Sequence, residues 1–353
     1  MNKKLCPSSL IQAANYLSNN QLEKAEEILL KFEPESVISD ICKRVLLHPN
    51  KDTNHLFLDY KYNESKQINI FDTVLRNVSC VTETTNVALQ KMKNFYLQAP
   101  HSFTHINIGI GKGHFEKQLL SEIAKDTNRK QFDKIKIIGL DIDQASLFEA
   151  EKNIKEITAL YNSHTIFEFI PICEFAEKLP SSFWKEITND KTDLTGATSG
   201  FTLHHLQTIE SRTKVLKNLA QCKPQLFTLI EPDSDHFVSY LPDRLVSCWQ
   251  LFGTIFEMID IAQLSKEEEE AIKYIFFGRE IENILSTNED QRYEKHDTSK
   301  HWMTRLRESG FIPIDDFDYP IKDSLLCFNN REDGLLTVEY NCVSLVSVFT
   351  ATT

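Results

Sequence analysis

"HINIGIGKGHF", residues 105–115, places Gly109, Gly111 and Gly113 within five positions, in a chain of 353 residues that has only ten glycines. An alternating apolar run precedes them and a helical pattern follows, so the stretch reads as a strand turning into a helix. Glycine there lets the backbone turn tightly, lets a ligand approach closely, and leaves the helix N-terminus facing that ligand. The dinucleotide spacing G-x-G-x-x-G would need a third glycine at 114, where the chain has His114. A turn with a purely structural purpose is the competing reading.

Downstream the texture repeats. "HINIGI", a helix over 114–125, "KIKIIGLDI", a helix over 144–160, "IFEFIPI", a helix over 174–187, "GFTLHHL", a helix over 208–221 and "LFTLIEP" follow one another. Strands separated by helical segments imply right-handed crossovers and a mainly parallel sheet covered on both faces. Upstream, residues 8–32 read as two short amphipathic helices broken at Asn19-Asn20, and 71–100 as further helix ending at Pro100. The helix pair is tetratricopeptide-like, but no second copy follows at the required period, so a solenoid is not expected. Past Glu231, Pro242 opens a helix with Leu245, Cys248, Phe252, Ile255 and Ile259 on one face. Ser265 and Glu268 form a capping box, and the acids Glu267–Glu270 suit a first helical turn. "HDTSKHWMTRLRESGF" reads as a last helix capped by Asp297 or Thr298 and stopped by Gly310, before a tail of two closing strands.

A net charge of −12 opposes nucleic acid and anionic membrane as direct partners. No apolar run approaches the ~20 residues of a membrane span, and "MNKKLCPSSLIQAANY" has no secretory core. The eight cysteines have no metal-binding spacing, so reduced thiols, a cytoplasmic location and no metal are expected. Delivery into a host cell is compatible with the same features.

The G-x-G-x-G spacing is similar to the first motif of S-adenosylmethionine-dependent methyltransferases. One strand later Asp141 stands where an acid takes both ribose hydroxyls, while Asp143 caps the following helix. Glu174, past the third strand, would flank an adenine edge. "TLHHL" occupies the place where cofactor and substrate pockets meet in such enzymes. S-adenosylmethionine or S-adenosylhomocysteine is the expected cofactor.

The chain also resembles the GRAS family. "FDTVLRNVSCVTETTNVALQKM" is similar to the leucine-rich helical segment before the family's VHIID motif, and "HINIGIGKG" stands in the VHIID place. "KPQLFTLIEPDSDHF" resembles the stretch of glutamate, short acidic turn and histidine. "FFGREIENILSTNEDQRYEKHDTSKHWMTRLRESGF" carries GREI, RYEK, a tryptophan and the terminal GF, although Ser-Ala-Trp is absent from the closing region. The acids of VHIID are missing, with Asn107 and Gly109 in their neighbourhood. The family is known mostly as plant transcriptional regulators, with a smaller bacterial methyltransferase-like branch, which this chain resembles more.

The resemblance implies an α/β fold, a Rossmann-like methyltransferase core with a mainly parallel seven-stranded sheet, a C-terminal antiparallel hairpin and a helical cap. Residues 1–95 would form the N-terminal cap, 96–236 the cofactor-binding core, 237–285 an insertion completing the cap, and 286–353 the rest of the core. Asn107, Gly109, Gly111, Gly113, Asp141 and Glu174 are the cofactor-binding candidates. Proton acceptors are sought at the ends of strands four and five, among His204, His205, Glu231 and His236. Adjacent histidines point differently, so at most one easily faces the cofactor, and Glu231 before Pro232 could instead anchor a turn. His236 matches the histidine of the family's acidic turn. A capped site suits a small-molecule methyltransferase substrate. The alternative is a non-catalytic module binding a small ligand or a protein partner.

Overall fold

The computed structural model describes residues 5–49, 67–126, 131–189, 192–314, 317, 325–331 and 334–353. Its centre is β1 (Ser102–Ile108), buried at every position after the first. Period-two alternation sends Phe103, His105 and Asn107 to one face and Ile106 and Ile108 to the other, and helices cover both. The first face packs against α5 (Ser79–Tyr96), α6 (His114–Lys125) and α7 (Gln144–Thr158). The second meets α8 (Ser181–Glu186), α9 (Ile209–Gln221) and α13 (Ser299–Glu308).

Parallel pairing joins β3 (Ile166–Cys173), β2 (Lys134–Asp141), β1, β4 (Leu194–Gly200) and β5 (Leu226–Pro232), in that spatial order. β9 (Val343–Thr352) then runs antiparallel between β5 and β8 (Leu335–Tyr340), and β7 (Cys327–Arg331) forms the edge. A two-residue β6 (Ile312–Pro313) pairs with the end of β9. The order reverses at β1, with β2 on one side and β4 on the other, which opens a crevice at the carboxyl ends of these strands. The α/β architecture is as expected, a Rossmann-like methyltransferase fold. The sheet is mixed and has nine strands among the described residues rather than seven. The additions are β6 and β7, and β7 contains Asn329-Asn330, whose residue type is depleted in strands.

Two local expectations are corrected. β4 is "LTGATSG", six residues before the expected "GFTLHHL". Its small residues are demanded by α5, because a Cβ on Gly196 would lie 2.4 Å from Tyr96 Oη and 2.5 Å from Met92 Cε. "TLHHL" is a loop with a short 3-10 turn at Leu203–His205. Likewise Pro180 divides the expected helix 174–187 into a 3-10 turn at Ala176–Lys178 and α8.

The remaining helices form a second apolar body. α1 (Ser8–Ser18) and α2 (Leu22–Lys31) break at Asn19-Asn20, with Asn20 at φ +57°. α3 (Val37–Leu47), which the sequence pattern did not reveal, starts at a reciprocal Ser36–Ser39 cap. α4 (Gln67–Asn77) leads into α5. The insertion supplies α10 (Leu241–Ile261), α11 (Lys266–Glu270), a π-turn over Ala271–Phe276 and α12 (Phe277–Leu285). Leu10, Ala14 and Leu17 share one core with Leu245, Cys248, Trp249 and Phe252. α1 packs on α10 and α3 on α12, and Tyr240 Oη donates to Asn15 Oδ1 at 2.6 Å. Two segments far apart in sequence thus meet around a common interior.

Candidate functional site

A cavity of about 1500 Å³ lies over the switch point. Gly109, Gly111, Asp141 and Glu174 line one end, and His204, His205, Glu294 and His296 the other. Phe71 and Asp72 of α4, Phe252 and Ile255 of α10, and Phe276 of the π-turn also border it.

The three glycines of the opening stretch are all left-handed, at φ +84°, +53° and +68°, a region that costs a side-chain-bearing residue. They serve different ends. A Cβ on Gly109 would lie 2.0 Å from Thr202 Oγ1, so this glycine admits the loop after β4. A Cβ on Gly113 would lie 3.0 Å from Ala150 Cα, so this one admits α7. Gly113 does not border the cavity, which corrects its place among the cofactor contacts. Gly111 does border it, and its N–H donates to Asp141 Oδ2 at 2.8 Å.

Asp141 Oδ1 also accepts from Asp143 N at 2.9 Å, while Asp143 caps α7 through Ser146 N, as expected. Asp141 therefore closes the glycine loop as well as facing the cavity. Glu174 is exposed and accepts from Phe175 N. Beneath the loop, Asn107 Nδ2 donates to Glu116 Oε1 at 2.5 Å, and His105 bridges Glu116 and Tyr96 Oη. Asn107 Oδ1 and Glu116 Oε2 are buried without a hydrogen-bond partner. Glu116 escaped the sequence reading because it sits in the first turn of α6, where an acid is ordinary.

The loop is tied to the cap by Asp72, which binds Lys112 Nζ at 2.7 Å and His114 Nε2 at 3.2 Å. Burial alone would raise the Asp72 pKa, but the hydrogen bonds and charges of His114 and Lys112 outweigh it and hold the carboxyl low.

At the other end, Glu231 is fully buried and does not border the cavity. Its Oε1 accepts from Leu203 N at 2.8 Å and its Oε2 lies 2.7 Å from His204 Nδ1. It anchors the turn and orients His204. His204 itself is buried, and burial followed by the neighbouring His205 pulls its pKa down. His205 is about half exposed, with Nδ1 3.0 Å from Glu294 Oε2. His236 is corrected as a substrate-side base. It lies fully buried behind the cavity, its ring 4.9 Å from that of His296. Burial, then the charges of Arg292 and Arg244, lower its pKa to about 3. Histidine at such a value is a poor proton acceptor near neutrality.

Glu280, Tyr293, Glu294 and His296 border the cavity and were not among the expected site residues. The last three lie in "RYEKH", which had served only as a family signature.

The fold and this crevice define the class, a Rossmann-like methyltransferase-type core beneath helices. The chain belongs to the GRAS domain family, whose model matches residues 7–340. DELLA protein 2 of Medicago truncatula is 20% identical over 312 residues, 87% of this chain and 57% of that protein. DELLA protein RGL3 of Arabidopsis thaliana is 26% identical over 162 residues, 45% of this chain and 31% of that one. The chain thus spans little more than half the length of these relatives, or less. The solved structure of SCL7 from Oryza sativa shares the fold, with a TM-score of 0.75 and 18% identity over 97% of this chain and 98% of that one. DszA carbon methyltransferase aligns more loosely, at a TM-score of 0.44 and 10% identity over 96% of this chain and 70% of that one. No helix among the described residues is long and apolar enough to cross a membrane.

Proposed function

We propose that this GRAS domain protein binds S-adenosylmethionine or S-adenosylhomocysteine and methylates a small molecule beneath its helices. The observation that carries the reading is one cavity running from the glycine loop to the histidines at the turn after β4. At about 1500 Å³ it exceeds the ~300–1000 Å³ common for ligand sites, leaving room for a nucleoside cofactor and a second small molecule.

The residues fit the cofactor. Asn107 Oδ1, buried, unpartnered and on the cavity wall, is a ready acceptor for the ammonium of a methionine moiety. It stands in for the acid missing from the VHIID place. Asp141 would take the ribose hydroxyls with the lone pairs left by Gly111 and Asp143, and Glu174 would flank the adenine. The cofactor supplies a methyl group already activated on sulfonium. The chain's task is then to align the accepting atom, exclude water and remove a proton where required. His205 is the acceptor we favour, since it borders the cavity and is half exposed. His204 and Glu231 position it and the turn. The helices over the cavity act as the cap, with the divisions near 95, 236 and 285. The protein works in the cytoplasm, with no direct nucleic-acid partner. A protein partner is compatible with the same site.

Calorimetric titration with both compounds tests the reading. Saturable one-to-one binding is expected. Asp141→Ala should lose about 2–3 kcal/mol of it, the worth of charge-assisted hydrogen bonds. Gly111→Arg should fill the site and abolish binding while the fold survives. Absence of binding, or unchanged affinity in folded Gly111→Arg, would overturn the assignment. Binding without transfer to any acceptor would leave a ligand-binding module in place of an enzyme.

A further inference from the structure

We infer that His204, Glu294 and His296 form a binding site for one divalent first-row transition ion, zinc or iron(II) in type. The three residues are at most 3% exposed, and their donor atoms lie within 4.8 Å of one another. All three border the cavity. His204 Nε2 and Glu294 Oε2 are 3.5 Å apart. Both ring nitrogens of His296 are buried without a hydrogen-bond partner. An imidazole stripped of water with neither nitrogen satisfied is costly, and a metal bond removes that cost at one nitrogen.

The surroundings of His204 point the same way. Its Nδ1 faces the Glu231 carboxylate at 2.7 Å. With the proton on Nδ1, Nε2 is left as a free lone pair directed at Glu294. A carboxylate behind a histidine in this way fixes the tautomer and raises the basicity of the ligating nitrogen, the usual arrangement behind metal-bound imidazole. Glu280 is a further buried carboxyl on the same cavity wall. The adjacent Arg212 guanidinium is held by the carbonyls of His204 and Lys295 and lies 3.8 Å from Asp297.

Two imidazoles and one carboxylate select zinc, iron(II) or their neighbours over magnesium and calcium, which prefer oxygen ligands throughout. Ligand atoms about 2.1 Å from one ion lie closer together than 4.8 Å, so binding draws the three side chains inward. Three protein ligands leave coordination positions open toward the cavity, as in catalytic rather than structural sites. A molecule held there would present an oxygen or nitrogen donor to the ion. The site stands independently of whether the glycine loop takes a nucleoside cofactor.

The protein, treated with chelator and kept free of any adenosyl compound, is titrated with Zn²⁺. Bound metal is counted by mass spectrometry, and Co²⁺ serves as a visible-absorption probe. One equivalent with micromolar or tighter affinity is expected, with no competition from millimolar Mg²⁺. His296→Ala and Glu294→Gln should lower affinity by at least a hundredfold, and Glu231→Gln by about 10–100-fold as an orienting group. Circular dichroism of each variant checks the fold. Should a variant fail to fold, the wild-type Co²⁺ spectrum decides, since bands shifted and intensified relative to the hexaaquo ion are required of it. No stoichiometric binding to the wild type, a spectrum unchanged from hexaaquo Co²⁺, or wild-type affinity in folded His296→Ala would overturn the proposal.

Discussion

Gly109 shows how a functional-looking motif can be held by packing. Its φ of +84° and the 2.0 Å approach to Thr202 Oγ1 leave no room for a methyl group. Gly109→Ala is therefore expected to destabilise the protein by about 1–3 kcal/mol, from strain and displacement of the loop after β4. Thermal unfolding of the variant, followed by circular dichroism, checks this, and a change under 0.5 kcal/mol would refute it. Phe201, also at positive φ (+52°), lies at the start of the same loop. Glu231 then fixes its continuation through the N–H groups of Thr202 and Leu203. Left-handed backbone thus stands on both sides of the contact between the glycine loop and the histidine turn.

Among elements, α4 meets the core through ion pairs as well as apolar packing. Asp72 bridges to Lys112 and His114 beside the glycine loop. Its pKa is lowered in the folded state, so the unfolded chain binds more protons in acid. The pair's contribution is present above about pH 4 and is lost as pH falls through the folded pKa. Asp72→Asn should cost about 0.5–1 kcal/mol at pH 7, a partly exposed ion pair's worth. Chemical denaturation at several pH values should show the wild-type advantage fading below pH 4. A difference that persists undiminished at pH 2.5 would rule out the charge as its source.

Elements with strong local grammar were legible in the sequence. α6 and β5 lie at the expected bounds, the Ser265–Glu268 box caps α11, and Thr298 proves to be the cap of α13. What local pattern cannot convey is a partner's shape. β4 was misplaced because "LTGATSG" is small and nearly featureless, and only Tyr96 and Met92 packed on it explain why. The site divides in the same manner. Asp141, Asp143, Gly111 and the two histidines of the turn were visible as motif positions. Glu116, Asp72 and His296 were not, since each acquires its role from a residue distant in the chain, and His236 was misjudged because its burial is tertiary.

At the scale of the whole molecule, β9 lies in the interior of the sheet with β5 on one side and β8 on the other. Its residues Leu345–Ala351 are buried, from neighbours in the sheet and from apolar bodies on both faces. Most proteins tolerate loss of a terminal stretch, because such stretches fray at the surface. Here a chain cut before Val343 would leave β5 and β8 facing a slot, each with the edge that paired with β9 open. Exposed apolar strand edges of that kind recruit other chains. Such a truncation should yield insoluble aggregate rather than a weakened monomer, as sedimentation of the expressed product would reveal, whereas a soluble folded monomer would contradict it. By the same logic, a proteolytic nick near Val343 would poison intact neighbours as well as disable the molecule it struck.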